Sequence, residues 1–143
     1  MKKFSLYTYH KKILADTITP VSIYLKIRDK FPNSILLESS DYHANDNSFS
    51  YICCNPIASI KVENDIISQT FPDGSTKTNS TDATNVVEEI HKFTKRFKVN
   101  NDKSFKFINN GIFGFTAYDA VKYFEDINIT KKEGALEIPD IYY

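Results

Sequence analysis

The chain of 143 residues has the length of one domain, and 41% hydrophobic and 14% aromatic residues are enough to bury a core. Eighteen basic residues balance eighteen acidic ones, and only Arg28 and Arg96 carry guanidinium groups, so no phosphate-gripping face suited to nucleic acid is evident. No apolar run approaches the ~18 residues of a membrane span and no signal-peptide core follows Met1–Phe4, so the sequence reads as soluble and cytoplasmic, without a membrane partner.

Phe4 to His10 alternates large and small residues and predicts a first strand, which Lys11 and Lys12 turn out to solvent. Thr19 then stands as an N-cap, Pro20 sits where a missing amide proton costs nothing, and Val21, Tyr24, Leu25, Ile27 and Phe31 form the apolar stripe of a first helix. Pro32 and Asn33 end it. Ile35, Leu36 and Leu37 follow as three consecutive large apolar residues, the pattern of a strand covered on both faces. Glu38, Ser39 and Ser40 come immediately after, so charge and hydroxyls issue from the end of a core element and need partners. Backbone amides of a turn, or the ammonium and carboxylate of a small ligand, would both serve.

The polar segment 41–47 reads as a loop, and its His43 has no second ligand at metal spacing. Ser48 to Cys54 predicts a second strand with Phe49, Tyr51 and Cys53 on one face. Cys53 and Cys54 are neighbours that point to opposite faces, poorly placed to bond each other or clamp one metal, and read as two reduced thiols. Alternation from Ala58 to Glu63, a turn at Asn64-Asp65, a strand from Ile66 to Phe71 and a turn over 72–75 predict antiparallel hairpins. Thr81-Asp82 is the predicted cap of a second helix with Val86, Ile90, Phe93 and Phe97 on its apolar stripe and Glu88 and Glu89 off it. Lys95, Arg96 and Lys98 then fall in its last turn, where they favour the helix dipole. Val99–Asp102 reads as a loop, and Phe105 and Phe107 as a further strand.

Gly111 and Gly114 precede a short helical stretch, Tyr118 to Glu125, and in a strand context mark a bulge or a close backbone approach. Phe113, Val121 and Phe124 are the expected core contacts of that stretch. The architecture expected is a single α+β domain over residues 1–143, with mainly antiparallel sheet, two longer helices and one short C-terminal helix.

Taken in order, Thr-Pro-Val-Ser at 19–22, Leu-Leu-Glu-Ser at 36–39, Phe-Ser-Tyr-Ile at 49–52, Asn-Pro at 55–56, Gly-x-x-Gly at 111–114, Tyr-Asp-Ala-Val-Lys-Tyr-Phe-Glu at 118–125 and Pro-Asp at 139–140 resemble the N-terminal domain of anthranilate synthase component I, the chorismate-using enzyme of tryptophan biosynthesis. Where family members commonly carry Arg before the Tyr-Ser pair and Gly shortly after it, this chain has Ser48 and Cys53, and Lys122 stands where Arg is favoured. The resemblance implies that the chorismate site, the magnesium-binding glutamates and the acid/base residues belong to a C-terminal domain beyond the Pro-Asp segment. The chain itself then reads as an excised regulatory domain with no catalytic residue and no cofactor of its own. By the same resemblance Leu37, Glu38, Ser39 and Ser50 belong to an L-tryptophan feedback site, and the partners are the C-terminal chorismate-binding domain and the glutamine amidotransferase subunit, component II. The same region of aminodeoxychorismate synthase component I, from the folate pathway, and a stand-alone amino-acid-binding module are the alternatives.

Overall fold

The structure is a computed structural model that describes residues 2–38, 49–82, 84–99, 110–127, 129 and 137–143. The described residues form an α+β arrangement in which five of the six strand pairings are antiparallel. They fall into two compact units, His10–Pro56 and, made from two stretches of chain, Met1–Tyr9 with Ile57–Tyr143.

The larger unit is built on a five-stranded sheet in the order β6-β5-β4-β9-β8, from β4 (Ser59–Glu63), β5 (Ile66–Thr70), β6 (Thr76–Ser80), β8 (Phe115–Thr116) and β9 (Ile141–Tyr142). Asn64 and Asp65 join β4 to β5 with both φ angles positive, 50° and 58°, the left-handed pair that a two-residue hairpin turn requires. Alternation along β4 and β5 sends Ile60, Val62 and Ile67 inward to complete burial. Ile141 joins them from β9, with Phe71, Val86, Phe93 and Ala120 closing the core.

Helix α2 runs Val86–Thr94 and is capped by Asn85, whose Oδ1 accepts from the Glu88 amide at 3.0 Å. Thr81 and Asp82 lie upstream of it, a correction with a visible cause. The Thr81 amide is still bonded to the Asp65 carbonyl at 2.9 Å, so the chain has not yet left the hairpin. Replacing Asn85 by Ala should lower stability by about 1 kcal/mol, whereas Asp82→Ala should leave the melting midpoint almost unmoved; denaturant titration of both variants checks this.

Phe97 was expected on the helix stripe and belongs instead to β7 (Phe97–Val99), which pairs in parallel with β1 (Phe4–Leu6). Aromatic packing explains the exchange, since the Phe97 ring lies 5.7 Å from Phe4 and 5.2 Å from Phe93. Arg96 is likewise not a helix-dipole cation. Its guanidinium lies 3.7 Å from the centroid of Phe71, and its Nε donates to the Lys2 carbonyl at 3.1 Å. Lys95 is the helix C-cap and Lys98 sits on β7. The strand expected at Phe105 and Phe107 lies outside the described residues.

A 3-10 helix, Tyr118–Tyr123, replaces the longer helical stretch expected to Glu125. It buries Ala120 completely and packs Tyr123 against the core, while Phe124 is 52% exposed and Val121 half-buried. The tighter 3-10 turn rotates the inward face away from the positions that α-helical spacing selects.

Candidate functional site

The smaller unit carries Leu37, Glu38 and Ser50, the described residues among those expected at a ligand site, and its local structure follows from a few of its side chains. Helix α1 (Pro20–Ile27) begins with a reciprocal cap in which Thr19 Oγ1 accepts from the Ser22 amide at 3.1 Å and Ser22 Oγ accepts from the Thr19 amide at 3.2 Å. The helix ends in a turn, Asn33 adopts a left-handed φ of 62°, and the Tyr24 hydroxyl donates to the Ser34 carbonyl at 3.4 Å. The chain is thereby delivered into β2 (Ile35–Glu38), which pairs antiparallel with β3 (Ser50–Cys53).

Register decides which of the expected residues share a face. Glu38 lies directly opposite Ser50 and Leu36 opposite Ile52, so these four line one side of the hairpin. Leu37 is opposite Tyr51 and belongs to the other side, with Ile35 and Cys53. The hairpin therefore brings Glu38 and Ser50 together at the end where its two strands are connected and sets Leu37 apart from them. Ser39 lies outside the described residues. A carboxylate, a hydroxyl and two aliphatic neighbours at one strand end suit an ammonium-bearing ligand with an apolar body.

The strand itself departs from expectation. Ile35 and Leu36 are half-buried and Leu37 is 37% exposed, so β2 is not covered on both faces. No described residue of this unit is fully buried, and α1 leaves Val21, Ile23 and Leu25 between 39% and 49% exposed. A unit of this size has too much surface for its volume to close a core alone. Cys53 is half-buried and burial pushes its thiol up, with the neighbouring Cys54 adding to the effect, so it is a poor nucleophile.

Two polar clusters in the larger unit were not foreseen. In the first, the Glu89 side chain, only 3% exposed, accepts from Lys77 Nζ at 2.8 Å, Gln69 Nε2 at 3.0 Å, Asn79 Nδ2 at 3.1 Å and Lys92 Nζ at 3.3 Å. Its place three residues after Val86 and four before Phe93 puts it on the buried stripe of α2, which is how the sequence pattern announces it. In the second, Asp140 Oδ2 accepts from the Tyr123 hydroxyl at 2.7 Å and faces Lys122 Nζ at 3.1 Å, and Asp65 stands 3.6 Å from the same ammonium. Burial, and after it the bond to Asp140, pushes the Tyr123 phenol far above its ordinary range and keeps it a donor. Asp65 and Asp140 do not fit a magnesium ion, because Lys122 already supplies the positive charge between them. Among the described residues no group of His, Cys, Asp and Glu is arranged to hold a metal, and no helix is long and apolar enough to cross a membrane.

Comparison with known proteins finds relatives of one name. The chain is 27% identical over 141 residues to anthranilate synthase component 1 of Aquifex aeolicus, 29% over 135 residues to that of Lactococcus lactis and 33% over 129 residues to that of Pseudomonas putida. These alignments cover 99%, 93% and 90% of this chain but only 28%, 27% and 26% of the relatives, so the chain spans about a quarter of the length of the curated proteins it matches. No family model and no solved structure matches it.

Proposed function

We propose, for a chain that groups with the N-terminal domain of the anthranilate synthase component I family, that it carries the feedback control of that enzyme rather than its chemistry. In this reading L-tryptophan is held at the connected end of the β2–β3 hairpin, its ammonium toward Glu38 and its carboxylate toward the Ser39 and Ser50 hydroxyls. Leu36 and Ile52, on the face of Glu38 and Ser50, meet the indole, and Leu37 on the other face does not. The observation that carries the reading is the Glu38–Ser50 pair, a carboxylate and a hydroxyl set opposite each other by strand register beside Leu36 and Ile52.

The conversion of chorismate to anthranilate, its magnesium ion and its acid/base groups then belong to a C-terminal chorismate-binding domain, and ammonia comes from component II. Tryptophan controls that chemistry only if it binds one arrangement of the two domains more tightly than the other; equal affinity shifts nothing. The name shared by the three relatives favours this reading over the folate-pathway relative.

The test joins this domain to its chorismate-binding partner and titrates tryptophan against anthranilate formation. Removing the hydroxyl in Ser39→Ala should cost roughly 1–2 kcal/mol of effector binding, a five- to thirtyfold weaker inhibitor, with uninhibited turnover unchanged. Superimposable inhibition curves for wild type and Ser39→Ala would take that residue out of the site.

A further inference from the structure

Strand β9 is held as a ligand is held. It lies between β4 and β8, bonded on both edges: the Asp140 amide donates to the Val62 carbonyl at 2.9 Å, and the Tyr143 amide to the Ile60 carbonyl at 3.0 Å. The Ile60 amide donates to the Tyr143 carbonyl at 2.9 Å, and on the other edge the Ala117 amide donates to the Asp140 carbonyl at 2.8 Å. Side chains add selectivity. Ile141 is wholly buried in the core, Asp140 is received by the Tyr123 hydroxyl and the Lys122 ammonium, and the Tyr143 hydroxyl pairs with Thr116 Oγ1 at 2.8 Å. Gly114 supplies the room, since a Cβ there would meet the Tyr142 carbonyl. Main-chain bonds for affinity and side-chain pockets for specificity are the elements by which a sheet takes up an extended peptide.

We propose that the slot between β4 and β8 is a strand-acceptor site for an extended acidic–aliphatic–aromatic segment, filled in one chain by its own Pro139–Tyr143 and able to take the same segment from a second copy, so that two chains exchange β9. Every contact of the slot is identical in the two arrangements, so only the connection distinguishes them. Fifteen residues separate Tyr123 from Pro139, enough to reach a neighbouring molecule at up to ~3.3 Å per residue. A connection of this length gives the chain's own segment an effective concentration on the order of millimolar, so exchange sets in when the protein approaches that concentration or when the resident strand is weakened.

A fluorescein-labelled peptide of residues 137–143 probes the slot in the full chain. Asp140→Ala weakens the resident strand but leaves Tyr123, Lys122 and Asp65 in place, so this chain should bind the peptide about tenfold more tightly than wild type does. The same peptide carrying Ala for its aspartate should lose about tenfold on the variant chain. Asp140→Asn, which keeps an acceptor for the Tyr123 hydroxyl, replaces Asp140→Ala if circular dichroism shows that variant unfolded. Wild-type chain warmed at millimolar concentration, cooled and diluted should show a dimer by light scattering, in a fraction that rises with the warming concentration. Peptides that bind equally with and without the aspartate, or a chain that stays monomeric after that treatment, would overturn the proposal.

Discussion

Glu89→Ala should lower the stability of the larger unit by about 2–4 kcal/mol, roughly 10 °C in melting midpoint. The variant removes one acceptor and leaves several donors behind. Lys77 and Lys92, at 36% and 39% side-chain exposure, turn to water at little cost, so the loss falls on the buried Gln69 amide, 3% exposed, and on Asn79 beside it. Glu88→Ala is the matched control. Its carboxylate is 60% exposed and meets Lys92 at 2.9 Å, a solvated pair whose removal should change stability by no more than about 0.5 kcal/mol.

Acid should erase the difference between wild type and Glu89→Ala. Burial pushes the Glu89 carboxyl up, but the bonds from Lys77, Lys92 and Gln69 and the charge of Lys77 outweigh it and hold the pKa below the ordinary glutamate value. The unfolded chain therefore takes up this proton at a higher pH than the folded one. The stabilisation is complete above the unfolded glutamate pKa of about 4.3 and is withdrawn as pH falls through the lowered folded value. Urea midpoints of the two proteins should stand apart at neutral pH and converge in acid. A gap that stays constant between neutral pH and pH 3 would show that Glu89 acts through packing alone.

Gly114→Ala should be the other severe substitution, at about 3 kcal/mol or more. A Cβ placed there would run into the Tyr142 carbonyl oxygen and lie 2.8 Å from the Tyr143 Cα, both of them backbone, so no rotamer change relieves the clash. Either β8 or β9 must move, and the Phe115–Tyr142 and Thr116–Ile141 pairings go with it. Amide exchange at Thr116 and Ile141 should accelerate far more than exchange along β5. Unchanged exchange at both amides, with an unchanged melting midpoint, would contradict the close approach.

Local chemistry made much of the fold legible. Thr19-Pro20, the Asn64-Asp65 turn and the alternation of β4 and β5 each commit the backbone within a few residues, and each stands where the sequence placed it. What escaped was decided at a distance. Phe97 leaves the helix stripe for a strand because rings from residues 4 and 93 await it, and Asn85 displaces Thr81 as the cap because Thr81 is bonded back to Asp65. The candidate site was read from the polar residues that end β2, but which of them share a face depends on register with β3, and Leu37 fell on the far side. Glu89 reads as lying off the apolar stripe because a carboxylate on a buried stripe makes sense only once Gln69, Lys77 and Asn79 are seen beneath it.

The position of β9 also sets a schedule. On the ribosome β4, β5 and β6 emerge as a ready meander, yet the partner for the other edge of β4 is Ile141, some 80 residues after Val62. At about 5–20 residues per second that edge waits on the order of 4–16 s. Throughout this interval Ile60 and Val62 stand beside unpaired amides, the combination that invites a strand from another nascent chain. Synthesis speed across residues 63–140 should thus govern how much of the protein is recovered in soluble form, and slowing translation there should lower the yield without altering a single residue of the product.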